Sequence, residues 1–331
     1  MPTFDLPLSE LRSYRPDVSE PPDFDVFWSR TLDEARSFEL AADFRRDNAH
    51  SMKHVDVFDV SFCGFGGQVV AGWLLRPNAC GDDLPCVISY VGYGGGRSLP
   101  IAHVWPCAAG FAHFVMDSRG QGASWSPGKT PDPHGDSAPH VPGFLTRGIL
   151  RPDDYYYRRV ITDAVRAIDA AKAHEGVDTN RIALAGASQG GGLAVAAAAL
   201  AGASVSVLLS DVPFPCHFRR AVNITDKAPF AEIVTYLSCH PDQQSRVFET
   251  LSYFDACNFA RRVRVDSFFS VGMMDQVCPP STVFAAYNLI ENVRKEIDVY
   301  EFNGHEGGGV HQKARWLRIL AEYLAESSAS Q

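Results

Sequence analysis

Positive charge is scarce in this chain: 30 Lys and Arg stand against 39 Asp and Glu, a formal net charge of −9. Neutralising phosphates takes clustered Lys and Arg. Here they are scattered, which argues against a nucleic-acid partner. Long apolar runs are also missing. The longest, Leu193 to Ala203, is alanine-rich and falls short of the roughly 18 residues a membrane span needs. The opening segment Met1-Pro2-Thr3-Phe4-Asp5-Leu6 lacks the basic stretch followed by an apolar one that marks a secretory signal. Close cysteine pairs are absent too. The eight cysteines, at 63, 80, 86, 107, 216, 239, 257 and 278, are dispersed, and Cys86 runs directly into apolar Val87-Ile88. They read as buried free thiols, and with no signal segment the expected location is cytoplasmic. His305-Glu306 is followed by its next histidine only at 311, so no H-E-x-x-H motif forms. No metal and no other cofactor is expected.

What is present is a patterned chain of 331 residues, long enough for one large core. Residues 1–50 read as an N-terminal arm carrying one helix, with apolar residues at helical spacing between Asp23 and Ala42. Residues 51–331 read as a single domain. It opens with an antiparallel hairpin, His54 to Phe62 and Gln68 to Leu75, across a glycine-rich turn. Short apolar runs follow: Cys86 to Tyr90, Ala112 to Met116, Arg181 to Ala185, Val205 to Leu209, Ser267 to Val271 and Ile297 to Phe302. Helical stretches lie between them, at Ile161 to Ala173, Gly192 to Ala201, Thr282 to Ile290 and Gln312 to Glu326. A hairpin and then such alternation is the order of an α/β-hydrolase fold, with a mostly parallel central sheet covered by helices on both faces. Two segments break the alternation, at about 123–151 and 214–259. Insertions this long inside a compact domain usually serve function.

Gly186-Ala187-Ser188-Gln189-Gly190 joins an apolar strand run to a small-residue helix run. In that setting G-x-S-x-G predicts a nucleophile elbow, in which the serine sits on a tight turn with its Oγ lifted clear of the sheet. The same turn puts the Gln189 N–H at a helix N-terminus, where it can donate to an oxyanion. A serine hydroxyl needs a histidine base, and the base a carboxylate, in the order Ser, acid, His for this fold. His305 stands in a glycine-rich loop just past the last strand run, whereas His311 enters the final helix. For the acid, Asp275 follows the run Ser267 to Val271, and Asp211, one strand earlier, is the alternative. The second oxyanion donor comes from the loop after the third strand run, Gly92-Tyr93-Gly94-Gly95-Gly96-Arg97, with the Tyr93 N–H as candidate. No GK[ST] follows that loop, so it is no phosphate loop. Asp117 and Arg119, in the turn after Ala112 to Met116, read as a buried ion pair bracing the elbow.

Several segments together resemble one family. Tyr90 to Arg97, Met116-Asp117-Ser118-Arg119-Gly120-Gln121-Gly122, the elbow, Asp211-Val212-Pro213-Phe214, Ser270 to Asp275 running into Cys278-Pro279-Pro280-Ser281-Thr282, and His305-Glu306-Gly307 are similar to signature segments of the acetyl xylan esterase / cephalosporin-C deacetylase family, carbohydrate esterase family seven. The resemblance covers nearly the whole chain. It implies removal of acetyl groups from xylo-oligosaccharides, related sugars and cephalosporin C, with Ser188, Asp275 and His305 as the triad and Tyr93 and Gln189 as oxyanion donors. It further implies that Phe214 and Pro229 narrow the acyl pocket, and that the chain assembles into a hexamer with its active sites facing an inner cavity. The sequence departs from the family pattern at Val263-Arg264-Val265-Asp266, where a proline is usual, and at Gly304, where asparagine is more common. Another small acyl ester, an oligopeptidase activity or a non-catalytic hydrolase-fold binder remain the alternatives. A large propeller domain has no room in 331 residues, and non-catalytic relatives commonly lose a triad member.

Overall fold

The computed structural model describes residues 4–78, 81, 83–133 and 138–324, so Cys80, part of the 123–151 segment and the expected end of the last helix at Glu326 lie outside the described residues. Among these described residues nine strands form one sheet: β1 (Asp43–Arg46), β2 (Val55–Cys63), β3 (Val69–Pro77), β4 (Leu84–Tyr90), β5 (Ala112–Met116), β6 (Val177–Ala187), β7 (Val207–Asp211), β8 (Asp266–Gly272) and β9 (Lys295–Tyr300). Their order across the sheet is β1-β2-β3-β5-β4-β6-β7-β8-β9. The first three strands and the β3–β5 pair are antiparallel; every pairing from β5 through β9 is parallel.

The parallel strands are apolar on both faces because both are covered. Along them neighbouring residues alternate between two cores. Val87, Ala183, Leu209 and Phe268 pack with Trp316, Ile319 and Leu320 of α10 (Gly309–Tyr323). Ile88, Leu184, Leu208 and Phe269 face the larger core, which includes α3 (Tyr156–Lys172), α4 (Gln189–Ala201) and α9 (Pro280–Leu289). α4 is small and apolar on all sides, and Leu193 through Ala198 are buried, as expected of a helix without a solvent face.

Two helices precede the sheet, α1 (Leu8–Leu11) and α2 (Phe24–Arg36). In α2, Phe24, Phe27, Trp28, Thr31, Leu32 and Ala35 are buried on one face at the i, i+3, i+4 spacing. This helix ends earlier than the apolar spacing to Ala42 suggested. Ala41 takes φ 44°, a left-handed conformation that no helix continues through, and the chain then enters β1. β1 is an edge strand that the sequence reading did not anticipate, so the strand before the glycine loop is the fourth in chain order. The connection from β7 to β8 carries α5 (Phe218–Ile224), α6 (Phe230–Cys239), α7 (Gln244–Ser252) and α8 (Ala256–Ala260). Residues 117–155 contain a single 3-10 turn, Phe144–Thr146, among the described residues.

Candidate active site

Ser188 lies between the last residue of β6 and the first of α4, with φ 55° and ψ −124°. A non-glycine residue at positive φ is costly, so the surroundings must hold it. They do so on both sides: the Ser188 N–H donates to the Asp211 carbonyl at 2.9 Å, and its carbonyl accepts from Phe214 N–H at 2.9 Å. The flanking glycines are there for want of space. A Cβ on Gly186 would come 2.2 Å from the Gly190 carbonyl carbon, and one on Gly190 would come 2.1 Å from the Tyr90 carbonyl oxygen. Strand, turn and helix approach too closely for any side chain at these two positions.

His305 is in the loop between β9 and α10. Its Nε2 is 3.0 Å from Ser188 Oγ and its Nδ1 is 2.9 Å from Asp275 Oδ2. Asp275 is fully buried, three residues beyond β8, and its other oxygen accepts from the N–H groups of Val277 and Cys278 at 2.8 and 2.9 Å. Ser188, His305 and Asp275 thus form an unbroken hydrogen-bonded line. Cys278 brings a third ligand-type atom near, within 4.8 Å of those of Asp275 and His305. Both ring nitrogens of His305 are already committed to the serine and the aspartate. Burial, with the Asp275 carboxylate beside it, pushes the Cys278 thiol well above its usual range, which disfavours a thiolate nucleophile there.

Asp211, the alternative acid, does not reach His305. Its Oδ1 is buried without a hydrogen-bond partner, and burial pushes the carboxyl up to about 8 against the smaller opposing pulls of Ser270, Gln312 and Lys313. His311 is exposed on α10.

The two proposed oxyanion donors come from facing loops. No hydrogen bond from the Tyr93 or Gln189 backbone N–H to another group is found among the described residues. What holds the loops together is a pair of side-chain amides. Gln121 Nε2 donates to Gln189 Oε1 at 2.8 Å, Gln189 Nε2 donates back to Gln121 Oε1 at 3.2 Å, and Gln121 Oε1 also accepts from Gly94 N–H at 2.7 Å. Gln189 Nε2 reaches the Val91 carbonyl at 3.1 Å, and Tyr157 Oη donates to Gln189 Oε1 at 2.8 Å. The elbow and the glycine loop are therefore clamped on both sides of the gap. A buried polar network of this kind is rigid only while every member is satisfied.

The Tyr93 side chain makes a second anchor. Its hydroxyl donates to the Glu232 carboxylate of α6, 2.6 Å from Oε1, and accepts from Phe144 N–H at 2.8 Å. Phe214 is fully buried, its ring centroid 6.0 Å from that of Tyr93 and 4.8 Å from that of Phe230. Pro229 is buried at the N-cap of α6, just ahead of Phe230. Gln121 and Glu232 were not singled out from sequence. Gln121 could have been flagged by its place in the Arg119-Gly120-Gln121-Gly122 turn; nothing local marks Glu232.

The expected Asp117–Arg119 pair is not formed. Asp117 instead accepts from the backbone N–H groups of Arg97, Lys129 and Thr130, which ties the turn to the glycine loop. Arg119 reaches across to Asp163, with Nη2 2.7 Å from Oδ1, and lies 3.8 Å from Asp132. On this tight turn the two side chains diverge, and each finds a partner far away in sequence.

With the geometry in hand, comparisons with known proteins identify the relatives. A sequence model of the acetyl xylan esterase (AXE1) family matches residues 1–323. The acetyl xylan esterase from Paenibacillus sp. R4 superposes with a TM-score of 0.89 at 37% identity, over 96% of this chain and 100% of that one. Acetyl xylan esterase 1 from Thermoanaerobacterium sp. JW/SL YS485 gives 0.86 at 33% identity, over 96% and 99%. Acetyl esterase Axe7A of Xylanibacter ruminicola is 26% identical over 301 residues; the match takes in 88% of this chain and spans 65% of that protein's length.

Proposed function

Because the chain belongs to the acetyl xylan esterase family, we propose that it is a serine carboxylesterase acting on small acetylated carbohydrates, xylo-oligosaccharides among them, and on cephalosporin C. The observation that carries this reading is the hydrogen-bonded line from Ser188 through His305 to Asp275, with the Tyr93 and Gln189 backbone amides left without another acceptor among the described residues. His305 Nε2 takes the Ser188 proton as Oγ attacks the acetyl carbonyl carbon. The Tyr93 and Gln189 amides hold the oxyanion. As the bond between acyl carbon and sugar oxygen breaks, His305 returns its proton to the leaving sugar oxygen, leaving an acetyl ester on Ser188. Water repeats the sequence and releases acetate. Asp275 holds the imidazole in the right tautomer and stabilises its charged form. The buried Phe214 and Pro229 close the space beside the serine and favour acetyl over longer acyl groups.

Ser188→Ala is the direct test: kcat for p-nitrophenyl acetate falls by about 10⁶-fold while substrate binding persists. Retention of most of the activity would show that another group is the nucleophile. Comparing acetyl, propionyl and butyryl sugar esters tests the pocket, with a steep fall along the series expected. Two further elements of the proposal rest on the family resemblance and on the cysteines. The assembly is a homo-hexamer, to be checked by sedimentation equilibrium. The site of action is cytoplasmic, supported by the free thiols at Cys86, Cys107, Cys216, Cys257 and Cys278, and to be checked by fractionation.

A further inference from the structure

The triad and oxyanion amides use no residue from the long segment at 123–151. One residue of that segment nevertheless stands beside them. Trp125 is 64% exposed, whereas Trp28, Trp73 and Trp316 are 1%, 5% and 6% exposed. A large aromatic side chain beside a candidate catalytic serine is of the kind that lines substrate sites. The indole is also held. Its Nε1–H donates to the Tyr93 carbonyl at 2.8 Å. Its ring lies so close over Gly95 that a Cβ there would sit 2.3 Å from Cζ2, and a Cβ on Gly92 would sit 3.4 Å from the same atom. Gly92 in turn faces the elbow: its Cβ position is 3.8 Å from the Ala187 carbonyl oxygen, in the residue before Ser188. A single glycine therefore separates the indole from the nucleophile's turn.

A ring fixed on one edge by a hydrogen bond and by backbone contact, with the rest open to water, is a preorganised platform. Its face is flat, apolar and weakly negative. The complementary ligand is a saturated ring whose axial C–H bonds present a weakly positive apolar face while its hydroxyls stay in water, which describes a pyranose. We infer that Trp125 is the platform on which the sugar ring of an acetylated xylo-oligosaccharide stacks while its acetyl group is directed at Ser188. This rests on the sugar-ester function proposed above and names the residue that selects sugar esters over alkyl esters.

Two variants separate the ring face from the Nε1 hydrogen bond. Trp125→Ala removes both; Trp125→Phe keeps a ring without the N–H. With Trp125→Ala, kcat/KM for acetylated xylobiose falls about tenfold further than kcat/KM for ethyl acetate, chiefly through KM. Ethyl acetate hydrolysis itself falls several-fold in both variants, because both lose the brace on the Tyr93 carbonyl. With Trp125→Phe the ratio between the two substrates returns toward the wild-type value. Unacetylated xylobiose inhibits ethyl acetate hydrolysis more weakly in Trp125→Ala than in the wild type. Equal losses on both substrates, no recovery of the ratio in Trp125→Phe, or unchanged inhibition by xylobiose each overturns the platform. A changed sedimentation mass of Trp125→Ala also overturns it, assigning the face to a second copy of the chain. Labelling of Ser188 by a fluorophosphonate reports that the variants are folded. A wild-type enzyme active on ethyl acetate but on no acetylated xylobiose defeats the sugar-ester reading itself. Activity on both with an unchanged ratio in Trp125→Ala defeats only the platform.

Discussion

Two aspartates at the same end of adjacent strands have different fates. Asp211 is the last residue of β7, and Asp275 lies just beyond β8. The chain after Asp275 curls back, so that Val277 and Cys278 turn their N–H groups onto one carboxyl oxygen while His305 takes the other. The chain after Asp211 turns away. Val212 adopts φ 37° and gives its N–H to the Ser270 carbonyl at 3.1 Å, so the nearest amide is spent elsewhere. Among the described residues Asp211 Oδ1, Ser270 Oγ and Gln312 Nε2 are buried polar atoms outside hydrogen-bond distance of a partner, though Ser270 and Gln312 lie near enough to pull on the Asp211 carboxyl. Asp211 is only half-buried, but no backbone amide serves its side chain, and desolvation outweighs the weaker pulls of Ser270 and Gln312, so the acid holds its proton, as the value of about 8 implies. The amides of the following loop, and not the strand end itself, thus separate an acid that can orient a histidine from a half-buried one that keeps its proton.

The largest effect that would break this comparison is on activity. Asp275→Asn keeps the shape but presents an amide to His305 Nδ1, favouring the wrong tautomer, and kcat should fall about 10⁴-fold. The matched Asp211→Asn enzyme should stay within about threefold of wild type, since it loses no contact to the triad. Steady-state kinetics on p-nitrophenyl acetate settles the matter, and a large loss in the Asp211 variant with a small one in the Asp275 variant would reverse the assignment.

A further carboxylate, fully buried, sharpens the comparison through stability. Asp163 is served by a charge as well as an amide: Arg119 Nη2 is 2.7 Å away and Phe65 N–H donates at 2.9 Å. Asp132 lies within 3.8 Å of the same arginine and is held by Arg159 at 2.7 Å. Burial drives the Asp163 carboxyl upward and Arg119, its one charged partner, gives the largest opposing pull. Arg119→Met should leave it uncompensated and lower the unfolding free energy by about 3–5 kcal/mol. Urea denaturation measures this. A midpoint within error of wild type would mean that the arginine can be replaced as freely as a surface residue.

Sequence made some of this legible and hid the rest, for physical reasons. The parallel strands show themselves because a strand buried on both faces must be a short apolar run. Ser188, Asp275 and His305 can be picked out because each follows such a run in the order that the fold requires. β1 is hidden because Asp43–Arg46 is a charged edge strand, ordered by its pairing with β2 and not by its own composition. Sequence proximity also misleads. Arg119 stands two places from Asp117 but pairs with Asp163, 44 residues on, and Tyr93 finds Glu232 at a separation of 139. Single-chain patterns report which face a residue occupies, and such long-range polar partners follow only once the loops are placed. For the same reason chain order favours Asp275 but keeps Asp211 as its competitor.

Asp211 by itself adds a dependence on pH. In the unfolded chain its carboxyl titrates near the ordinary 3.8, and in the folded chain near 8. Between these values the folded state holds a proton that the unfolded state has lost, so stability falls as pH rises through the window and levels off above it. Asp298 and Lys313 also act on this carboxyl, Asp298 raising and Lys313 lowering it, but both remain in Asp211→Asn. The difference in Tm between wild type and Asp211→Asn therefore isolates the one proton. Wild type should lose ground to the variant steadily from pH 4 to pH 8 and no further beyond, as followed by thermal melts in matched buffers. A difference that stays flat across that range would mean that the carboxyl is ionised in the folded protein, and the contrast with Asp275 would then be one of position alone.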